Sequence, residues 1–263
     1  MELENKNIVI TGASSGIGLS VLKELEKKSC KIIACSRKIE SQNLDLKDAK
    51  AEIIYKNCDV SKKESIDELF DFAIKKFGHI DLFISNAGFA YYEKIDRADW
   101  EHIESIVDTN FNGFVYCLEK MKEEFGKAPY NFLVTASAMA ELSIPGYSLY
   151  SGTKAAIRGF CDAYRYELEP GQNLQAVYPV ATKTNFFKNA GNSVPVPWPT
   201  QDSETVALKI IRGIEKDRKN IYPSFVFRLT SIFNRIFPFI LHSYADIYGM
   251  LFKKWVKNKD RND

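Results

Sequence analysis

The residues whose types and spacing are suited to chemistry are a tyrosine and a lysine in the segment 147–154. Tyr150 and Lys154 are four positions apart, so on a helix both side chains lie on one face, one turn apart. A phenol has an ordinary pKa of about 10, and a neighbouring ammonium lowers that pKa by stabilising the phenolate. The pair is therefore suited to exchanging a proton with an alcohol oxygen. A half-buried aromatic beside a solvated lysine would show the same spacing.

The composition is that of a globular protein with a sizeable core. The chain has 263 residues, of which 45% are apolar and 27% charged, and its net charge of +2 gives no reason to expect a nucleic-acid partner. Cysteines and histidines are scattered, so we expect no metal site, no disulfide framework and a cytoplasmic location. The N-terminus runs directly into a strand and no apolar run reaches about 18 residues, so we expect neither a signal peptide nor a spanning helix.

Residues 7–18 have the pattern of a nucleotide-binding turn. An apolar run over 7–10 is followed by Thr-Gly-Ala-Ser-Ser-Gly-Ile-Gly and then by apolar positions at helical spacing. Glycines at such a turn let the backbone approach a pyrophosphate, which rests on the helix N-terminus. The spacing Gly12-x-x-x-Gly16-x-Gly18 differs from the commoner Gly-x-Gly-x-x-Gly, and a capped helix after a strand is the alternative.

A second apolar strand over residues 31–35 ends in Ser36, Arg37 and Lys38. In dinucleotide-binding folds an acidic residue here binds the ribose 2′-hydroxyl of NAD, whereas an arginine accommodates the 2′-phosphate of NADP. Ser36 occupies the acidic position and Arg37 supplies a forked, permanent charge, so the sequence favours NADP over NAD. A solvated strand end is the alternative.

Strands and helices alternate along the chain. Further strands are predicted over 52–57, 81–85, 130–136 and 173–178. Helices are predicted after Ser61, which would form a capping box with Glu64, from Phe111 with Asn110 in the first turn, and over 203–216. This alternation predicts an α/β, Rossmann-like, doubly wound parallel sheet with helices on both faces. We expect a catalytic domain over 1–222 and an amphipathic helical extension over 223–263.

Four motifs occur in the order found in a known family. They are 11–18, Asn86-Ala87-Gly88, Ser137 and Tyr150-Ser-Gly-Thr-Lys154. On these motifs, the chain over about 7–184 resembles the compact branch of the short-chain dehydrogenase/reductase family. Asn110 lies where that family has a further active-site asparagine.

The resemblance implies a role for each polar residue of the site. Tyr150 would be the general acid/base, and Lys154 would lower its pKa and hold the nicotinamide ribose. Ser137 would hydrogen-bond the substrate oxygen. Asn110 would kink its helix and hold a water that links Lys154 to solvent. Residues implied to contact the cofactor, besides Tyr150 and Lys154, are Gly12, Ser14, Ser15, Gly16, Ile17, Gly18, Ser36, Arg37, Asp59, Val60, Asn86, Ala87, Gly88, Pro179, Thr182 and Thr184.

Substrate contacts are expected in the proline-rich, apolar segment 186–200, which the resemblance makes the substrate loop. Besides Ser137 and Tyr150, we expect contacts from Met139, Phe186 and Trp198. Further candidates for an apolar wall are Tyr91, Leu142, Phe187, Val194 and Val196. A packed surface loop is the alternative.

From residue 222 the chain is aromatic and basic, with two amphipathic segments on either side of Pro238 and lysines at 253, 254, 257 and 259. This pattern fits a membrane-surface anchor, a dimer contact, a lid over an apolar pocket, or packing on the core. Pro238 and the charges argue against a spanning helix.

These patterns and the resemblance together predict an NADP(H)-dependent oxidoreductase. It would interconvert a carbonyl and a secondary alcohol on a hydrophobic or lipid-like substrate, as a homodimer or homotetramer, with peripheral membrane contact. The alternatives are a non-catalytic cofactor sensor or scaffold and a same-fold enzyme of other chemistry, such as an epimerase or dehydratase. The presence of Ser137, Tyr150 and Lys154 argues against the sensor.

Overall fold

The computed structural model describes residues 1–42, 44, 46, 50–191, 194–234, 236, 237 and 239–259, and for Ile240 the backbone alone. Within these ranges the secondary structure includes nine strands. The strands are β1 (Asn7–Thr11), β2 (Lys31–Ser36), β3 (Glu52–Asn57), β4 (Leu82–Ser85), β5 (Tyr130–Thr135), β6 (Gln172–Val177), β7 (Thr182–Lys183), β8 (Gln201–Asp202) and β9 (Asn220–Ile221). The six strands expected from the sequence are confirmed to within one residue at either end, whereas β7, β8 and β9 were not predicted.

Seven of the described strands form one parallel sheet in the order β3-β2-β1-β4-β5-β6-β9, and β7 pairs separately with β8. The predicted Rossmann-like class is therefore confirmed. The strand order changes direction between the paired neighbours β1 and β4. Strands β2 and β3 lie on one side of β1, whereas β4, β5 and β6 follow on its other side. In open parallel sheets, ligands bind outside the carboxyl ends of the strands at such a switch point.

The described helices are α1 (Gly16–Leu25), α2 (Lys63–Phe77), α3 (Trp100–Val107), α4 (Gly113–Phe125), α5 (Ser148–Tyr164), α6 (Phe186–Ala190), α7 (Ser203–Glu215), α8 (Phe225–Asn234) and α9 (Phe239–Lys259). Side chains alternate along the strands, so that Val9 and Ile33 face one core while Ile8 and Ile32 face the other. Helices α2, α4 and α5 cover the first core, and α1 and α7 cover the second. Both faces of the sheet are thereby closed, as expected for parallel strands.

Two local predictions about helix starts were wrong. The Ser61 hydroxyl donates to Asp59 Oδ1 at 2.7 Å, and α2 begins only at Lys63 without a side-chain cap. Asn110 does not stand in the first turn of a helix that begins at Phe111. It lies in a π-helical turn, Asp108–Asn112, that joins α3 to α4.

The C-terminal segment packs partly on the core. Phe227, Leu241 and Tyr248 are buried, and the backbone N–H of Trp198 donates to the Tyr248 hydroxyl at 2.8 Å. The Tyr244 hydroxyl donates to the Trp198 carbonyl, so α9 binds the loop before β8 from two side chains. Helices α8 and α9 lie on either side of the predicted break, although Pro238 is outside the described residues.

Candidate active site

A cavity of about 980 Å³ lies at the carboxyl ends of the central strands. One end, which we call the glycine-turn end, is lined by the β1–α1 turn and the residues after β2 and β3. The other, the apolar end, is lined by Met139, Tyr150, Phe186, Trp198 and side chains of α8 and α9. Of the residues singled out above as catalytic, cofactor or substrate contacts, all line this cavity except Gly18, Asn110, Val194 and Val196.

Tyr150 and Lys154 lie in the first two turns of α5, and both are buried. Lys154 Nζ donates to the carbonyl oxygen of Thr135 at 2.7 Å and lies 5.6 Å from the centre of the Tyr150 ring. Since Thr135 is the last residue of β5, this bond fixes the start of α5 against the carboxyl end of that strand. The predicted helical pair is thus present, and it faces the cavity.

Burial dominates the electrostatics of the pair. Desolvation raises the pKa of Tyr150 to about 12, and its hydrogen bond with Ser137 opposes the shift. Desolvation lowers the pKa of Lys154 to about 7. The spacing suggested that Lys154 lowers the pKa of Tyr150, whereas in the protein by itself burial raises that pKa and Lys154 is not among the causes of the shift.

Ser137 follows β5 and begins a short 3₁₀ turn, Ala138–Ala140. Its hydroxyl accepts a hydrogen bond from the Met139 N–H at 3.0 Å and also bonds Tyr150. The Ala138 N–H donates to the Pro179 carbonyl at 2.8 Å, which joins this turn to the segment after β6. The two hydroxyls of Ser137 and Tyr150 therefore meet at one point of the cavity wall, where a substrate oxygen can accept from both.

Asn110 is buried beneath the cavity wall. Its amide accepts from the Phe89 N–H at 3.0 Å and donates to the Phe89 carbonyl at 2.9 Å and to Thr153 Oγ1 at 3.2 Å. Thr153 in turn donates to the Tyr150 carbonyl at 2.8 Å. Asn110 therefore joins the loop after β4 to the helix that carries Tyr150 and Lys154, from a position outside the cavity lining.

The glycine turn needs residues without side chains for two reasons. Gly12 has φ of 66°, and a Cβ atom there would lie 2.8 Å from Ala87 Cα, so the loop after β4 could not approach. Gly16 has φ of 56°, and a Cβ atom there would lie 3.3 Å from Thr184 Cγ2. Gly18, which does not line the cavity, packs against the Gly12 carbonyl. The turn thus leaves exposed backbone at the N-terminus of α1, which suits a pyrophosphate.

Asn86 ties three strand ends together beneath this turn. Its side-chain amide donates to the Gly12 carbonyl at 3.3 Å, and its carbonyl accepts from Thr135 Oγ1 at 3.1 Å. Its backbone N–H donates to Thr11 Oγ1 at 3.1 Å. Asn86 therefore fixes the ends of β1, β4 and β5, and with Ala87 and Gly88 it lines the cavity.

Ser36, Arg37 and Asp59 lie at the glycine-turn end. Ser36 Oγ is buried and has no hydrogen-bond partner among the described residues, and the Arg37 side chain is exposed. Asp59 is engaged by both the N–H and the hydroxyl of Ser61. An unpaired hydroxyl and a guanidinium, rather than a carboxylate, therefore stand at the end of β2.

The apolar end contains side chains that the sequence analysis did not single out. Val226, Phe227 and Thr230 of α8 and Leu241 and Tyr244 of α9 line it. A lid was one of four interpretations of the amphipathic C-terminal pattern, and the pattern alone could not choose among them. The acidic face of α3 was also missed, and it contributes Glu101, Glu104 and Asp108 of the following turn to the lining. Val194 and Val196 were expected in the wall, but they lie outside the lining.

Comparisons with known proteins agree with this architecture. The profile of the short chain dehydrogenase family matches residues 6–194. The uncharacterized oxidoreductase Lmo0432 of Listeria monocytogenes is 30% identical over 195 residues, which are 72% of this chain and 79% of that protein.

Two solved structures share the fold. The alcohol dehydrogenase of Thermococcus sibiricus, solved with 5-hydroxy-NADP, has a TM-score of 0.72 and 25% identity, with 83% of this chain and 96% of that chain covered. A short chain dehydrogenase/reductase of Burkholderia phymatum, solved with NAD, has a TM-score of 0.77 and 19% identity, with 88% and 93% covered.

The buried lysine makes stability depend on pH. Between the folded pKa of about 7 and the unfolded value of about 10.4, the folded protein binds fewer protons than the unfolded chain, so stability rises with pH. Lys154→Met removes the buried charge. We expect the variant's gain in thermal midpoint over the wild type to be greatest near pH 6 and to shrink as the pH approaches 10, as followed by circular dichroism.

Lys120→Met is the matched control, because the carboxylates of Glu123 and Glu124 raise the pKa of Lys120 and keep it charged across this window. The difference in thermal midpoint between Lys120→Met and the wild type should not change with pH. A Lys154→Met difference that is equally constant would contradict the lowered pKa of Lys154.

Proposed function

The chain belongs to the short-chain dehydrogenase family of oxidoreductases, and we propose that it interconverts a carbonyl and a secondary alcohol with NADP(H) on a hydrophobic substrate. One observation carries the proposal. Ser137, Tyr150 and Lys154 meet within a single cavity whose far end is the glycine turn and whose near end is apolar. Proton chemistry, a place for the cofactor and a place for an apolar substrate are thus adjacent.

The residues present fit a nicotinamide dinucleotide. A side chain at Gly12 would collide with the loop after β4, and the backbone of the glycine turn at the N-terminus of α1 suits the pyrophosphate. Lys154 would hold the nicotinamide ribose together with Tyr150. When bound, the cofactor supplies or accepts the hydride.

The proton steps belong to this chain's own residues. In reduction, Ser137 and Tyr150 donate hydrogen bonds to the carbonyl oxygen and stabilise the charge that develops on it. Tyr150 then gives its proton to that oxygen. A pKa of about 12 keeps the phenol protonated at neutral pH, so that the proton is present for transfer. With a pKa of about 7, Lys154 is partly in its ammonium form at neutral pH, and that form would stabilise the phenolate that results.

The NADP preference rests on the end of β2. The Arg37 guanidinium and the unpaired Ser36 hydroxyl suit the 2′-phosphate, whereas a carboxylate that would bind the 2′-hydroxyl of NAD is not among the described residues lining that position. The substrate class rests on the apolar end, where Met139, Phe186, Phe187, Phe227 and Leu241 offer a lipid-like ketone or ring a large apolar surface.

We further propose a cytoplasmic location, because the five cysteines are free and buried, as suits a reducing compartment. Association into dimers or tetramers through α4 and α5 is proposed from the family. A monomer observed by sedimentation velocity would contradict it. We propose that the chain divides at residue 222 into a catalytic domain and a C-terminal extension, and that the extension completes the cavity.

Contact of the C-terminal helices with an anionic membrane surface is proposed from their outer face. Among the described residues, no helix is long and apolar enough to cross a membrane. However, Phe233, Ile236 and Phe237 are about half or more exposed at the end of α8, and Lys253 and Lys254 are exposed on α9. Apolar and basic side chains together suit binding to anionic headgroups.

Tyr150→Phe should lower kcat with NADPH and a ketone by about 100-fold or more, because a general acid contributes roughly 10²–10⁴ to the rate. Cofactor binding, measured by fluorescence titration, should be retained. Tyr147→Phe is the control, since its hydroxyl is buried without a partner among the described residues and does not line the cavity. A Tyr150→Phe enzyme with most of its rate would exclude the acid/base role.

Arg37→Asp should weaken the binding of NADPH by about 10–100-fold, because a charge-assisted hydrogen bond contributes roughly 1.5–3 kcal/mol. NADH should be affected much less, since it lacks the 2′-phosphate. The neighbouring Lys38 is exposed and does not line the cavity, so Lys38→Asp serves as the control. An unchanged ratio of the two dissociation constants in Arg37→Asp would remove Arg37 from the cofactor site.

The triple variant Phe233→Ser, Ile236→Ser, Phe237→Ser should reduce cosedimentation with vesicles of phosphatidylcholine and phosphatidylglycerol several-fold, because it removes apolar contact area. These side chains do not line the cavity, so turnover should persist. Trp100→Ser removes an exposed aromatic from α3 and is the control. Equal binding by the triple variant and the wild type would refute the membrane contact.

A further inference from the structure

Glu141 is a buried carboxylate that the proton chemistry does not use. It follows directly on the turn Ala138–Ala140, which positions Ser137 and Met139, and its side chain is 5% exposed. It does not line the cavity. A buried carboxylate is costly unless it is paired and hydrogen-bonded, so its partners indicate what it does.

The partners of Glu141 come from three different elements. The Tyr222 hydroxyl donates to Glu141 Oε1 at 2.7 Å, and the Ser231 hydroxyl donates to Oε2. Arg158 Nη1 lies 3.5 Å from Oε1. Arg158 stands one turn after Lys154 on α5, whereas Ser231 is on α8. These four residues, here called the Glu141 cluster, connect the catalytic turn and the catalytic helix to α8.

Helix α8 has few other anchors. Of its ten residues, only Phe227 and Ser231 are buried, and Phe225, Leu229 and Phe233 are exposed. A helix of this length is not stable by itself in water, so its position depends on tertiary contacts. Ser231 contributes a polar contact to Glu141, and Phe227 contributes the apolar one. The Glu141 cluster therefore supplies a polar contact that holds α8 in place, beside the hydrogen bond from the Leu241 N–H of α9 to Asn234 Oδ1 at 3.0 Å.

The position of α8 determines the shape of the apolar end. Val226, Phe227 and Thr230 line the cavity from this helix. We expect a long or polycyclic ketone at Tyr150 to contact α8 more than a small one does, because only the larger molecule can fill the apolar end. Displacement of α8 would therefore remove the wall for large substrates and leave the proton relay intact.

Resting on the proposed function, we propose that Glu141 is a positioning residue that sets the preference for large apolar substrates by holding α8 over the cavity. Its carboxylate accepts hydrogen bonds from the hydroxyls of Tyr222 and Ser231. Loss of the charge weakens both bonds and the pairing with Arg158. The effect reaches the substrate through α8 and not through Ser137 or Tyr150.

The test compares Glu141→Gln and Ser231→Ala with the wild type, using NADPH and two ketones, cyclohexanone and 2-dodecanone. For 2-dodecanone we expect KM to rise roughly tenfold, with kcat within about twofold. For cyclohexanone both constants should stay within about twofold. The double variant should be no worse than the worse single one, because both changes break the same contact. Glu64→Gln, an exposed acid on α2, is the matched control.

Hydrogen–deuterium exchange tests the same contact without activity. Backbone amides of residues 225–234 should exchange faster in Glu141→Gln and Ser231→Ala, while those of 63–77 should not change. If Glu141→Gln fails to fold, Ser231→Ala and Tyr222→Phe carry both measurements.

An equal rise in KM for both ketones would overturn the proposal. Unchanged exchange of the backbone amides of residues 225–234 would also overturn it. If the wild type reduces no ketone, the proposed function fails. The exchange measurement would still decide whether the Glu141 cluster holds α8.

Discussion

The hydrogen bond from Lys154 to the Thr135 carbonyl is the contact on which the site depends. It brings the ammonium of α5 to the carboxyl end of β5, where Asn86 already binds Thr135 from the neighbouring strand. Tyr150 is one turn earlier on the same helix, so its hydroxyl is placed next to Ser137 by the same contact. The side chains of Ser137, Tyr150 and Lys154 are thereby held close together at the carboxyl end of β5.

The sequence predicted what depends on local pattern. Helical spacing placed Tyr150 and Lys154 on one face, and the glycine-rich turn placed a dinucleotide cradle after β1, because both depend on neighbouring residues. The π-helical turn around Asn110 could not be predicted, since it arises where α3 and α4 join and where the Asn110 amide bonds the Phe89 backbone. The Ser61 cap failed because a nearby carboxylate, Asp59, binds that hydroxyl instead.

Burial and long-range contacts explain the remaining differences. Spacing alone suggested that an ammonium lowers the pKa of a nearby phenol, but spacing does not report how dry the surroundings are. The C-terminal pattern was equally consistent with a lid, an anchor, a subunit contact or simple packing. Val226, Phe227 and Thr230 show that one face of α8 belongs to the cavity, and the hydrogen bond between Ser231 and Glu141, which are 90 positions apart, attaches this helix.

The attachment of the substrate loop to α9 has a consequence for how this site can diversify. Tyr244 and Tyr248 hold the backbone carbonyl and N–H of Trp198, and neither bond involves the indole. Trp198 is 75% exposed, yet it borders the cavity. A different side chain at position 198 would therefore reshape the entrance while the loop stays attached. Selectivity can drift at this position over evolutionary time without loss of the architecture that presents it.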